Sequence, residues 1–420
     1  MRHVVVMVTS SYPRFPGDIV GTFMEPIARG VAARGHDVHV VAPWHPSVTR
    51  PPAESGVRFH FYRYAPPGLP HTFGYAGALK ADVTFRASAI AATPLAVASG
   101  ILAARSVCRA ARATIMHGHW VVPGGFMARL AAAPGVPLVV SLHGSDVYVA
   151  ERHPLVGWAA RGVFNTAAWV TACSGDLRDR AIGLGARADR SEVLPYGVDT
   201  ARFAPDPAAR RALHARLGLP EHAPIVCTAG RLVRKKGFEY LIDATARLRV
   251  AHPGAHLVIA GGGDLEQELR ARAGNAGIGP FVHFLGSIAQ SDVPSLIAGA
   301  DCIAVPSVRD DAGNVDGLPN VVMESLASAT PLVATPAGGI GAVVDHGRTG
   351  LLVPERDPNA LADALAALLS DTDLRARIGR AARQEVCERY TWERYAQRLE
   401  EVFDVAVGRG RTTMKAEGIA

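Results

Sequence analysis

The chain has 420 residues, 49% of them apolar and 20% charged, with a net charge of +6. This is the make-up of a soluble globular protein with sizeable cores and of two domains rather than one, and the scattered glycines and prolines exclude a low-complexity chain. The positive charge is concentrated early, with 19 Lys and Arg against 12 Asp and Glu in residues 1–200; it suits phosphates or anionic lipid headgroups, while dispersed arginines without a nucleic-acid-binding motif argue against DNA or RNA as partner.

Strand-like apolar runs alternate with helical stretches from the start. Val4–Val8 is followed by a helix over Glu25–Arg34 and a strand over Val38–Ala42. The opening MRHVVVMVTSSYP enters a strand directly and shows no signal peptide. Ala87–Ala104 is 18 residues without a charge, bounded by Arg86 and Arg105. It is mostly alanine and is interrupted by Pro94, so a buried or membrane-apposed helix fits better than a span. Next come strands at Thr114–His117, Leu138–Leu142 and Ala168–Cys173, with helices at Gly124–Ala133 and Asp176–Leu184, and a last strand at Val193–Pro195. The five cysteines (108, 173, 227, 302 and 387) are widely spaced without a CxxC and read as free core thiols of a reducing, cytoplasmic compartment.

Pro195–Pro224 is rich in Pro, Asp and Arg, carries no strand, and reads as a connection between domains. The rhythm then restarts with strands at Pro224–Ala229, His256–Ala260, Val282–Leu285, Cys302–Val305 and Pro331–Ala334. Helices fall at Leu241–Ala251, Asp264–Ala273, Val293–Ala300, Asn320–Ser328 and Asn359–Leu369. The fold class is α/β, with two doubly wound Rossmann-like domains expected to face each other across a cleft. The expected boundaries are 1–200, 201–388, a helix over 389–408 returning to the first domain, and a disordered tail over 409–420.

Two stretches of the second half carry chemistry. GRLVRKKGFEYL (230–241) puts four cations in the loop between a strand end and a helix start, where an anion is readily held; it also reads as a solvated loop. DGLPNVVMESLA (316–327) spaces Asp316 and Glu324 eight apart, the helix starting near Pro319 or Asn320. The amides of Leu318, Pro319, Asn320 and Val321 are expected to point at the strand end, with Glu324 one turn inside as an acceptor for two hydroxyls. The alternative is an acid favoured by the helix dipole. In the first half, His143 and Asp146 follow a strand, and His117 and His119 straddle Gly118 at another strand end. These could face an acceptor or simply terminate strands, Asp146 being in range to orient the His143 ring. No third ligand accompanies the histidine pair, DDAG at Asp310 is not a DxD motif, and Asp371-Thr372-Asp373 reads as surface, so no metal is expected.

These stretches, with TSSYPRFPGDIVGTF (9–23), RGHDVHVVAP (34–43), HGHW (117–120), SLHGSDVY (141–148), LPYGVDTARFAP (194–205), HFLGSIAQSDVPSLIAGADCIAVPS (283–307) and HGRTGLLVPERD (346–357), resemble glycosyltransferase family 4. That family comprises retaining nucleotide-sugar glycosyltransferases of the GT-B fold, and the resemblance covers almost the whole chain. It implies that Arg231 and Lys236 bind the donor diphosphate, Glu324 the ribose, Ile288 the nucleobase and Gly21 the diphosphate from the other domain, with His143 facing the transferred sugar. Asp316 stands where the family more often has a longer Glu. The implied reaction transfers a sugar from a nucleotide-diphosphate sugar to an acceptor hydroxyl without a metal or other cofactor. The acceptor could be lipid-linked and met at the inner membrane leaflet, through the basic first domain and the aromatic loop 62–77. A nucleotide-sugar 2-epimerase and a non-catalytic sugar-nucleotide sensor are the alternatives.

Overall fold

The computed structural model describes residues 2–18, 20–65, 71–75, 79–81, 84–85 and 87–409. The expected disordered tail beyond 409 and the centre of the aromatic loop, 66–70, lie outside them. The chain divides into two compact units, one of residues 1–195 with the segment from Trp392 onward, the other Tyr196–Thr391.

The first unit is built on an eight-stranded sheet. Its order is Ser191–Val193, Trp169–Ala172, Leu138–Leu142, Ile115–His119, Val4–Val8, Asp37–Pro43, Val57–Tyr62 and Ala53–Glu54. All neighbours are parallel except the last pair, a hairpin. Val4–Val8 buries all but its first residue, as expected of a strand covered on both faces. The chain runs one way along the sheet through helix Met24–Ala33 and the other way through helix Ala87–Ala110. Right-handed crossovers therefore put these helices on opposite faces. Helix Trp392–Ala406 joins the first face: it buries Tyr395, Ala396, Leu399, Val402 and Phe403, a helical stripe. His3 Nε2 lies 3.0 Å from Asp404 Oδ1, and Arg398 Nη2 lies 2.8 Å from Glu192 Oε2.

The second unit holds a six-stranded all-parallel sheet in the order Val282–Gly286, His256–Ala260, Ile225–Ala229, Cys302–Val305, Leu332–Ala334 and Leu351–Leu352. This is the doubly wound 3-2-1-4-5-6 order, whose topological switch point lies between Ile225–Ala229 and Cys302–Val305. Helix Phe238–Ala251 turns Phe238, Leu241, Ile242, Thr245 and Leu248 into the core beside Leu257 and Ile259.

Several elements differ from expectation. The 195–224 connection contains helix Ala209–Leu217, which belongs to the second unit and buries Ala209 and Leu213. Asp371, Thr372 and Asp373 are exposed as expected, and Asp371 also caps helix Thr372–Arg389, accepting from the Leu374 amide at 2.8 Å. Cys387 is exposed on that helix, whereas the other four thiols are buried. Helices Ser145–Arg152 and Pro154–Phe164 and strand Val57–Tyr62 were not anticipated.

Candidate active site

The second unit's site grows from the strand ends that flank its switch point. Strand Ile225–Ala229 ends at Gly230, whose amide donates to Ala260 O at 2.9 Å, and Leu232 N donates to Gly262 O at 3.0 Å. Arg234–Lys236 then forms one 3-10 turn. Gly237 closes it at φ +64°, and a Cβ there would lie 2.0 Å from Pro306 O. Only glycine fits that left-handed conformation at such an approach. Val308 N donates to Lys235 O at 2.8 Å, so the loops after the two switch-point strands are stitched together.

The four cations of this loop do different things. Arg231 is exposed at the strand end. Arg234 is drawn away by Glu268, its two terminal nitrogens 2.7 and 2.6 Å from the carboxylate oxygens. Lys235 Nζ lies 3.1 Å from Asp316 Oδ1 and Lys236 Nζ 2.6 Å from Asp316 Oδ2. Burial alone would raise the Asp316 carboxyl; Lys235 and Lys236 overcome it and hold it well below the usual carboxylate range. Asp316 is thus a fixed anion joining two ammonium groups. Together the three carry one net positive charge, with the lysine ends held in place. Lys235 was missed by sequence reasoning, although its place beside Lys236 was a signal.

Helix Asn320–Ala327 begins three residues beyond Gly317, with Pro319 at its cap and no acid in its first turn. Pro319 has no N–H, which corrects the expected row of amides to Leu318, Asn320 and Val321. First-turn amides have no partner inside a helix and are oriented toward a ligand at its N-terminus. Glu324 follows one turn on, partly exposed. Burial pushes its carboxyl up to about 7, against the pull of Arg202 and Lys236. Arg202, from the start of the unit, is a second residue that sequence reasoning missed. Ile288, partly buried, lies in the loop after strand Val282–Gly286, at the same carboxyl edge of the parallel sheet.

In the first unit the corresponding strand ends carry aromatic rings. Gly21, at φ +66°, turns the chain just before helix Met24–Ala33, and a Cβ there would meet Ser11 Oγ at 3.4 Å. His119 Nδ1 lies 3.0 Å from His143 Nε2, with the two rings stacked at 5.2 Å. Phe23 and Trp120 flank His143 at 4.7 and 5.0 Å between centroids. His117 lies deeper: its Nε2 is 2.7 Å from Ser141 Oγ, and its ring meets Phe403 of the C-terminal helix. Burial lowers His117 and His143 to about 3 and lowers His119 well below its ordinary value, so all three are neutral at physiological pH. Asp146, expected to orient the His143 ring, instead accepts from backbone: Val121 N at 2.7 Å and Gly144 N at 3.2 Å. It fixes the loops that carry Trp120 and His143. Burial pushes its carboxyl up to about 6 despite these bonds. Among the described residues, no group of three or more His, Cys, Asp or Glu side chains could hold a metal ion.

Comparison with known proteins places these two strand-end sites in a wider context. A model of the glycosyl transferase 4-like domain matches residues 20–197, and one of the glycosyl transferases group 1 matches residues 209–385. The GDP-mannose-dependent alpha-(1-6)-phosphatidylinositol monomannoside mannosyltransferase of Mycobacterium tuberculosis is 38% identical over 273 residues, 65% of this chain and 70% of that protein. The D-inositol 3-phosphate glycosyltransferase of Salinispora arenicola is 33% identical over 343 residues, 74% of this chain and 73% of that one. In fold, the chain superposes on Anabaena HepE in complex with UDP with a TM-score of 0.73 at 22% identity, covering 96% of this chain and all of that one. The fold is thus that of the GT-B glycosyltransferases. The similarity runs to transferases and sets the epimerase alternative aside.

Proposed function

The chain belongs to the group 1 and 4-like glycosyl transferases, and from that premise we propose how its residues handle the nucleotide sugar. It is an enzyme that moves a sugar from a nucleotide-sugar donor to an acceptor in glycoconjugate synthesis. In our reading the donor diphosphate lies at the switch point of the second unit, against Lys236, Arg231 and the amides of Leu318, Asn320 and Val321. Glu324 accepts the ribose hydroxyls, and Ile288 packs on the base. The observation that carries this is the ammonium pair of Lys235 and Lys236, fixed on Asp316 beside a helix N-terminus that bears no acid in its first turn.

The bond between the anomeric carbon and the phosphate oxygen breaks with its electron pair leaving on the diphosphate. Positive charge develops on the sugar, as in other glycosyl transfers. Donors already in position for the departing charge lower the barrier by about 3–4 kcal/mol each, without a metal. The acceptor oxygen attacks the face the diphosphate leaves, the configuration is retained, and the acceptor proton passes to a diphosphate oxygen. His119 and His143 do not take it, because neutral rings held this far below their ordinary values are poor bases. They and Gly21 belong to the strand-end loops of the first unit.

For the acceptor we adopt an anionic polyhydroxylated head group, lipid-linked or free. The relatives' names, phosphatidylinositol monomannoside mannosyltransferase and D-inositol 3-phosphate glycosyltransferase, and the basic first half support it. The enzyme works in the cytoplasm. The test is nucleotide release from UDP-, GDP- and ADP-sugars with inositol phosphates or phosphatidylinositol as acceptor, with and without EDTA, followed by assignment of the product's anomeric configuration. EDTA-insensitive transfer with retention is expected from one donor. Inversion, or loss of activity in EDTA restored by a divalent ion, would overturn the mechanism.

A further inference from the structure

The first unit carries a surface that the sugar chemistry does not use. Seven large hydrophobic side chains are exposed among the described residues, and five of them, Leu95, Leu102, Leu130, Leu155 and Trp158, lie on three neighbouring helices of that unit. The exposures are high: 83% for Leu155, 70% for Trp158, 67% for Leu102 and 53% for Leu95. Helix Ala87–Ala110 exposes Ala91, Leu95, Ala98 and Leu102 at spacings of four, three and four, and the same line continues into Arg105 and Arg109. Its 91–110 segment is long and apolar enough to cross a membrane, yet only 28% of the qualifying window is buried, so it is not a core helix. Helix Pro154–Phe164 repeats the pattern at spacings of three, with Leu155, Trp158 and Arg161 exposed, and exposed Arg152 ends the preceding helix Ser145–Arg152.

The helices form one surface. Arg105 Nη2 donates to Leu130 O at 2.9 Å, joining the first helix to Phe126–Ala131. The Arg129 guanidinium lies over Gly162, 3.3 Å from where a Cβ would be, joining that helix to Pro154–Phe164. The charge is one-sided. Residues 83–175 contain seven arginines and only two acids, Asp146 and Glu151. Asp146 is buried and Glu151 is paired with Arg180 at 2.6 Å. Apolar side chains ringed by arginine, with no free carboxylate among them, complement an anionic lipid surface: the apolar groups enter the headgroup boundary and the guanidinium groups bind phosphate. A protein partner needs shape and hydrogen-bonding groups at the centre of its contact, and this surface offers mainly alanine, leucine and arginine.

We propose that helices Ala87–Ala110, Phe126–Ala131 and Pro154–Phe164 form a peripheral docking face for an anionic phospholipid bilayer. The face involves none of the donor-site residues, so its failure and the failure of the donor reading are separable. The test is flotation of the full chain with vesicles of pure phosphatidylcholine and of phosphatidylcholine with phosphatidylglycerol, at low and high salt. Each Arg near an anionic surface strengthens binding about fivefold. The chain is expected to float with the anionic vesicles only, with a blue shift in tryptophan emission absent in Trp158→Phe. Leu155→Ser/Trp158→Ser and Arg109→Glu/Arg161→Glu are each expected to lose at least tenfold in vesicle affinity, with unchanged melting and unchanged turnover on a soluble acceptor. Equal binding to neutral vesicles, no binding to anionic ones, or variants that leave vesicle affinity unaltered while dissociating a dimer would overturn the proposal.

Discussion

Glu324 makes donor binding sensitive to pH in a range where few other groups of the site titrate. Burial raises its carboxyl to about 7, while a carboxylate that accepts two hydroxyl protons must be ionised. Without donor, roughly a tenth of the molecules are ionised at pH 6 and roughly nine-tenths at pH 8. Donor affinity should therefore rise about tenfold across that interval, about 1.4 kcal/mol. The folded protein alone should behave oppositely. A carboxyl raised above its unfolded value makes stability fall as pH rises from the ordinary carboxylate range towards 7, by at most about 3 kcal/mol and by less at this partly exposed position. Isothermal titration with an intact nucleotide sugar, whose phosphates do not titrate between pH 6 and 8, separates this from ligand ionisation. In Glu324→Gln, binding at pH 8 should weaken and the pH slope should vanish. A wild-type affinity that is flat from pH 6 to 8, or a slope that survives in Glu324→Gln, would refute the role given to this carboxylate.

Three further outcomes follow from the same geometry. Lys236→Ala should lower kcat/KM by about 10²–10³ with little change in melting, because Lys235 still neutralises Asp316. Asp316→Asn should instead be destabilised by about 3–5 kcal/mol at neutral pH, seen in urea unfolding. Its deficit should shrink only in acid below the ordinary carboxylate range, since a depressed carboxyl contributes its stability above the unfolded pKa and loses it as pH falls through the folded one. Gly237→Ala should clash with Pro306 O and strain a left-handed residue. The expected cost is at least about 1–2 kcal/mol, with loss of donor binding, read by thermal melting and titration together.

The alternation of strands and helices made both sheets legible, because parallel strands covered on both faces are short continuous apolar runs. Val4–Val8, Leu138–Leu142, His256–Ala260 and Cys302–Val305 appear where the pattern placed them. Val57–Tyr62 was not read: VRFHFY alternates and follows a stretch rich in proline. Ala209–Leu217 was hidden because its three arginines and a histidine masked a narrow buried stripe. At the site, the cationic loop and the Asp316–Glu324 spacing were visible. The sharing of Asp316 between Lys235 and Lys236 was not, because it joins loops 80 residues apart through side-chain direction, which spacing does not encode. The His119–His143 contact depends likewise on the register of two parallel strands.

The central claim is that the donor diphosphate rests at the switch point of the second unit. A crystal structure of the full chain with a bound nucleoside diphosphate tests it most directly. The account predicts phosphate oxygens within about 3 Å of Lys236 Nζ and of the Leu318, Asn320 or Val321 amides, with the ribose hydroxyls on Glu324. A diphosphate bound away from that strand edge, with Lys236 still closed on Asp316 and Glu324 untouched, would contradict it.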